Sequence, residues 1–273
     1  MKQTIFSTII IGFLSLGIYY GLVAYFNAKK HQAYSQELAS YHSVENILEY
    51  KLQKLANILS LGLIDNETVN QYKKIQEKQT QHEKQATYFA YLSLGFLFVA
   101  ILLSSFTLKA NHSILVLSIS GVFVLGIGVL APIMTMIIQK DIDLIGRIVL
   151  SFESRSVVGT IEKLFAQEEW VVGIAILVFS LLLPLGKLLS LFLLSFFFSD
   201  PLIHKLVHIF KIIGKWSMVD VFIVAIFLVY ITSGKSDTTQ AYSGIGLYFF
   251  LGYVIISTIA TIQSKKMLQQ ATS

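Results

Sequence analysis

Lys187 and Asp220 each stand as the lone ionisable residue in an apolar run long enough to cross a bilayer. Lys187 follows Pro184-Leu-Gly in the run that opens at Trp170, and Asp220 lies four residues beyond Trp216 in the run Trp216-Ser217-Met218-Val-Asp220-Val-Phe222 that continues to Ser233. An uncompensated Lys or Asp at the centre of a membrane helix costs about 2.5–3.5 kcal/mol, so each calls for a partner, a water-filled cavity or a snorkelling route. At a rise of about 1.5 Å per residue the two backbones differ by about one or two helical turns in depth, within reach of a long Lys side chain. An ion pair would lower the desolvation penalty of both, and opening it would offer a cation to an anionic headgroup. Lys187 and Asp220, with the flanking Pro184, Trp216 and Ser217, are therefore the candidates for a lipid-binding cavity.

A second basic set follows Asp200-Pro201, which ends the first run. Leu202, Leu206, Ile209, Phe210 and Ile213 fall on one face of a helix, and His204, Lys205, His208, Lys211 and Lys215 on the other. That pattern predicts an interfacial amphipathic helix drawn to anionic headgroups. His204 and His208 have the i, i+4 spacing of a two-histidine metal site, but no Glu follows His204 and no third ligand is evident, so the pair reads as part of the basic face. Asp141 and Asp143 admit two readings, a carboxylate pair for a cation or a solvated strand edge. Cysteine is absent, which excludes disulfides, thiolate metal sites and cysteine nucleophiles. With no Ser/His/Asp grouping and no P-loop, no catalytic residue, metal or cofactor is expected, and the chain reads as a non-enzyme.

The order Pro184-x-x-Lys187-Leu188, then Gly214-x-Trp216-Ser217-Met218-x-Asp220-Val221-Phe222, resembles the paraquat-inducible protein A (PqiA) family of bacterial inner-membrane proteins, over roughly residues 113–264. The second motif is the more specific of the two. This resemblance implies a four-helix membrane unit and a part in moving lipids across the bacterial envelope, with a mammalian-cell-entry (MCE) protein as periplasmic partner and a phospholipid or other anionic amphiphile as cargo. Members commonly carry Cys-x-x-Cys zinc ribbons and two membrane units; this sequence shows one unit and no ribbon. Two other readings stay open: a non-transporting scaffold in which Lys187 and Asp220 only lock helices together, and a membrane-embedded lipid-modifying enzyme.

The elements that must hold these residues follow from composition. Hydrophobic residues are 55% of 273 and charged residues 14%, with mean hydropathy +0.68, the balance of a polytopic membrane protein. The net charge of +5 is spread over loops, with no arginine-rich tract, so lipid headgroups rather than nucleic acid are the expected counter-charge. Ile5–Phe26 offers 22 uncharged positions and reads as an uncleaved N-terminal transmembrane anchor, residues 1–26, with Gly17-x-x-x-Gly21 spaced for close helix approach. Residues 27–87 turn abruptly polar, with eight Lys and seven acids, and predict an extracytoplasmic helical hairpin: a stripe of Tyr41, Val44, Leu48, Leu52, Leu55 and Leu59, then a stop at Gly62-x-x-Asp65. Its role is either homo-oligomerisation or that of a spacer.

Residues 88–112 give a second transmembrane helix and a tight turn, and Ser113–Gln139 a third run of 27 uncharged residues with Pro132 near its end. Loop 140–169 mixes β-branched residues with partial alternation and predicts a small β element, then helical turns over Thr160–Gln167. Spans from Trp170, Trp216–Ser233 and Gly244–Ile262 complete six, and 265–273 is a tail. Lys2, Lys109, Lys205, Lys211, Lys215, Lys265 and Lys266 then share one side, which the positive-inside rule makes cytoplasmic, with both termini there. The predicted class is an all-α polytopic membrane protein of six transmembrane helices, with a small extracytoplasmic β element and a soluble helical hairpin insert.

Overall fold

The computed structural model describes residues 2–41, 67–142, 146–197 and 239–272, together with Lys205 and Ile209. Five helices among the described residues are long and apolar enough to cross a membrane. They are α1 (Lys2–Tyr41), α2 (Glu67–Thr107), α3 (Ala110–Leu130), the kinked helix Trp170–Phe196, and α7 (Ile245–Thr272). Their outward faces carry Ile11, Phe26, Phe106, Val171 and Ile262, all exposed. Apolar surface on this scale is held by hydrocarbon, not water. The expected span Trp216–Ser233 lies outside the described residues.

At about 1.5 Å per residue the 40 residues of α1 and 41 of α2 are each roughly 60 Å long, twice the hydrocarbon thickness of ~30 Å. The helix boundaries expected after Phe26 and at Thr87 are corrected here, because both helices run straight through them. Asn27-Ala-Lys-Lys-His and His82-Glu-Lys-Gln-Ala contain no Gly or Pro, so the change from apolar to polar ends burial in lipid without ending the helix. The two form an antiparallel pair whose polar ends project as a stalk. Polar ties replace lipid contact there: His31 Nδ1 donates to the Gln79 carbonyl (3.2 Å), Gln79 Nε2 to Ser35 Oγ (3.1 Å), and His82 lies 2.8 Å from Asn27 Oδ1 with its ring stacked on Tyr34. Within the membrane the small residues act as expected. A Cβ on Gly17 would sit 2.7 Å from Leu97, and Ser93 Oγ donates to the Gly17 carbonyl at 2.7 Å, so α1 and α2 touch along their backbones.

Leu108 and Lys109 alone join α2 to α3. α3 is the central helix, touching α1, α2, α7, the short helix Val157–Ala166 and the second half of the kinked helix, Leu183–Phe196, with Ile114, Leu117, Val124 and Leu125 fully buried. It ends at Leu130, nine residues short of the expected run to Gln139. Pro132 is the cause: it disfavours helical backbone at Ala131, which is extended (φ −78°, ψ 154°), and the β-branched sequence beyond it becomes a strand. β1 (Met134–Ile142) pairs antiparallel with β2 (Gly146–Arg155), with a bulge between Ile138 and Gln139, and with β3 (Thr239–Ser243), giving the order β2-β1-β3. A small β element was expected within 140–169, but not a first strand that begins at Met134, nor a third strand. Gln32 Nε2 of α1 donates to the Ser154 carbonyl of β2 at 3.0 Å, so stalk and sheet share one side of the bundle.

β3 passes into α7 where α3 passes into β1, and glycines make the crossing possible. Gly244 N–H donates to the Ile133 carbonyl (2.8 Å) and Gly246 N–H to the Pro132 carbonyl (2.9 Å). The Pro132 carbonyl occupies the space a Cβ on Gly244 would need. Deeper, a Cβ on Gly128 would stand 3.0 Å from the Phe250 backbone, so α3 and α7 also meet closely.

Candidate functional site

Ser156 opens α4 (Val157–Ala166) as its N-cap, its Oγ accepting from Gly159 N–H at 3.0 Å. The helix therefore starts before the turns expected at Thr160. α4 closes with two overlapping bonds, Glu169 N–H to the Leu164 carbonyl and Glu168 N–H to the Phe165 carbonyl, which put Glu168 in the left-handed region at φ 64°. That turn delivers Trp170, stacked on Phe165 at 5.3 Å, to the start of α5 (Trp170–Leu177). A Cβ on Gly173 would meet the Phe165 ring at 2.6 Å, so glycine lets the α4–α5 corner close.

Pro184 bends the membrane helix that Trp170 begins. α5 runs into a single π-helical turn (Val178–Leu182), where Leu183 N–H bonds the Val178 carbonyl five residues back, and then into α6 (Leu183–Phe196). A proline inside a helix has no N–H to give and crowds the carbonyl four residues earlier; one wide turn absorbs both faults. Pro184 itself is buried. Lys187, one turn further on, is half-buried on α6, and its backbone carbonyl accepts from Ser190 Oγ at 2.8 Å. At about 1.5 Å per residue it lies roughly 14 Å from the Phe196 end, well inside the apolar length. Its neighbour Leu188 is fully buried against Gly121 of α3, where a Cβ would be 2.8 Å away.

The close approach of α6 to α3 at Gly121 leaves a groove beside it, about 800 Å³ in volume. Ser118, Val122 and Phe123 line it from α3, and Leu182, Gly186 and Leu189 from the π turn and α6. Val122, Leu182 and Leu189 are exposed at its rim, so among the described residues it is open along that side. Ser118 and Ser120 are fully buried, and neither hydroxyl has a hydrogen-bond partner among the described residues. A polar group in that condition costs about 1–3 kcal/mol, so a serine bordering an apolar groove marks a place where a ligand oxygen would be welcome. Sequence reasoning missed this wall; its signal was Ser118-x-Ser120-Gly121, the small polar interruption in an otherwise apolar run.

On the sheet side, Glu153 joins β2 to α4, its carboxylate 3.3 Å from Arg155 and 3.0 Å from Lys163. The hydrogen bond from Arg155 and then that from Lys163 hold its carboxyl below the ordinary value of 4.5. Lys205 is exposed and helical. Asp220, Trp216, Ser217, His204, His208, Lys211 and Lys215 lie outside the described residues, as does any pairing of Asp220 with Lys187.

Comparison with protein families returns paraquat-inducible protein A over residues 111–271, more than half of the chain. The chain belongs to the paraquat-inducible protein A family. The matched stretch takes in α3, the whole sheet, the kinked helix and α7, and it contains both motifs on which the resemblance rested. α1 and α2 lie outside it. The protein is therefore a multi-pass membrane member of the family with an additional helical pair packed against the family unit. Neither the curated proteins nor the solved structures give a match.

Proposed function

We propose that this chain is the membrane subunit of a bacterial envelope lipid-transport system, working in the inner membrane and passing phospholipid-like anionic amphiphiles to or from an MCE-type periplasmic partner. The observation that carries this reading is the α3–α6 groove. It is apolar and, among the described residues, open along one side, it borders the buried hydroxyl of Ser118, and Lys187 follows directly on Gly186 of its wall. An acyl chain entering from the bilayer would fill the groove, its ester oxygens would take the Ser118 hydroxyl, and the Lys187 ammonium would meet the phosphate. The π turn before Pro184 gives the wall a bend at the height of the groove. The stalk and sheet, on one side, form the surface facing the partner.

The test is photo-crosslinking of a diazirine-bearing phosphatidylglycerol to the full chain in reconstituted vesicles, with membrane abundance measured alongside. Leu189→Trp, which fills the groove from its exposed rim, and Lys187→Met should each lower capture about tenfold, the loss of about 1.4 kcal/mol, at unchanged abundance. Full capture by both variants would overturn the reading. Equal losses of abundance and capture would favour instead the scaffold, in which Lys187 only secures α6.

A further inference from the structure

α2 and α7 cross the membrane in the same direction, joined at each end and parted between. On the sheet side the Tyr91 and Tyr248 rings are in contact, their centroids 5.6 Å apart, and Tyr248 Oη lies 3.3 Å from Ser243 Oγ. On the far side Gln263 Nε2 donates to Ser105 Oγ at 2.6 Å, and its Oε1 accepts from Ser113 Oγ at 2.8 Å. The fourteen steps from Tyr91 to Ser105 nearly match the fifteen from Tyr248 to Gln263, so the helices stay in step over roughly 21 Å. Between the ties lies a second groove, of about 330 Å³. Leu97, buried, lines it with the half-exposed Phe98 and Ile255. Gly252 deepens it, since a Cβ there would stand 3.0 Å from Leu94.

We infer that this groove seats one acyl chain of a phospholipid from the sheet-side leaflet, with the headgroup end at Tyr91 and Tyr248. Length decides the occupant. From Tyr248 to Ile259 the groove runs roughly 16 Å, about half of the ~30 Å hydrocarbon core, and Gln263 and Ser105 close it there. A helix from another protein would need an open path across the whole bilayer; a chain from one leaflet fits and stops. Polarity gives the direction: the phenols supply hydroxyls where ester and phosphate oxygens begin, at the level where tyrosine sits in membranes. One wall, α2, lies outside the residues shared with the family, and the other, α7, lies within them. A lipid seated here would fill the seam between the added helical pair and the family unit. This inference does not rest on the transport reading.

The test uses the full chain reconstituted with a phosphatidylethanolamine bearing a diazirine in mid-chain. Adducts are mapped by mass spectrometry, and tightly held lipid is counted after detergent extraction. Adducts should map to Phe98 and Ile255, with about one retained lipid per chain, and Ile255→Trp should lower both readouts about tenfold. Ile262→Trp, on the same helix and equally exposed but off the groove, should change neither. Tyr91→Phe with Tyr248→Phe should reduce retention while leaving the adducts at Ile255. Leu189→Trp, in the α3–α6 groove, should leave capture here intact, so either proposal can fail while the other stands. Wild-type capture by Ile255→Trp, or adducts spread equally to Ile262, would show annular lipid and overturn the inference.

Discussion

Glu168 holds a backbone conformation that costs an ordinary residue about 1 kcal/mol and costs glycine little. Glu168→Gly should raise the stability of the purified protein by about that amount, read as a higher thermal midpoint in detergent. Gly244 is the opposite case, for the Pro132 carbonyl stands where its Cβ would be. Gly244→Ala should cost about 1–3 kcal/mol by forcing the β3–α7 junction off α3, whereas Gly95→Ala, which meets nothing, should be neutral or gain up to about 1 kcal/mol. Glu153 offers a pH test. Its carboxyl is depressed by Arg155 and Lys163, so its contribution is fully present above the ordinary value of 4.5 and is lost as pH falls through the depressed one. The stability difference between wild type and Glu153→Gln should close on acidification. It should also shrink with salt, because the group is nearly half exposed.

Among the described residues few polar groups fasten the helices, and each fastening matters more for lacking water as an alternative. Gln263 serves three helices at once, through Ser105 of α2 and Ser113 of α3. Gln263→Leu leaves both serines without that partner and should destabilise by about 1–3 kcal/mol in thermal unfolding. The kink at Pro184 is of another kind, for it shapes the site more than it holds the fold. Pro184→Ala restores an N–H for the carbonyl of Ser180 and should straighten the helix. Unchanged or higher stability with lower lipid capture is the expected result.

At the scale of the molecule, the Gln32–Ser154 bond puts the stalk and the sheet on one side of the membrane, with the α2–α3 turn on the other. Reporter fusions after Gln81 and after Phe165 should therefore give the same sign, and fusions after Lys109 and Ser264 the opposite one. The positive-inside rule predicts the cytoplasmic sign for the second pair, beside which Lys109, Lys265 and Lys266 stand. A split between Gln81 and Phe165 would contradict the fold itself.

The membrane class, the membrane-crossing helices that the structure describes and the family were legible in the sequence, because each is written locally. A run of about 20 apolar residues spans a bilayer whatever surrounds it, and Pro184-x-x-Lys187 with Trp216-Ser217-Met218-x-Asp220 identifies the family by residue order alone. Local reading placed Pro132 near the end of the third run, but not the change there from helix to strand. Hydropathy misplaced the ends of α1 and α2 because it reports where lipid contact stops, while a helix continues until a residue breaks it. What remained was decided by pairs distant in the chain. β3 became the third strand only by meeting β1 about a hundred residues earlier, and the two grooves exist because α3 approaches α6 at Gly121 and α2 stands off from α7 between a tyrosine contact and a polar tie. Nothing in any one segment specifies the spacing between two helices. Side chains from both set it, and only packing brings them together.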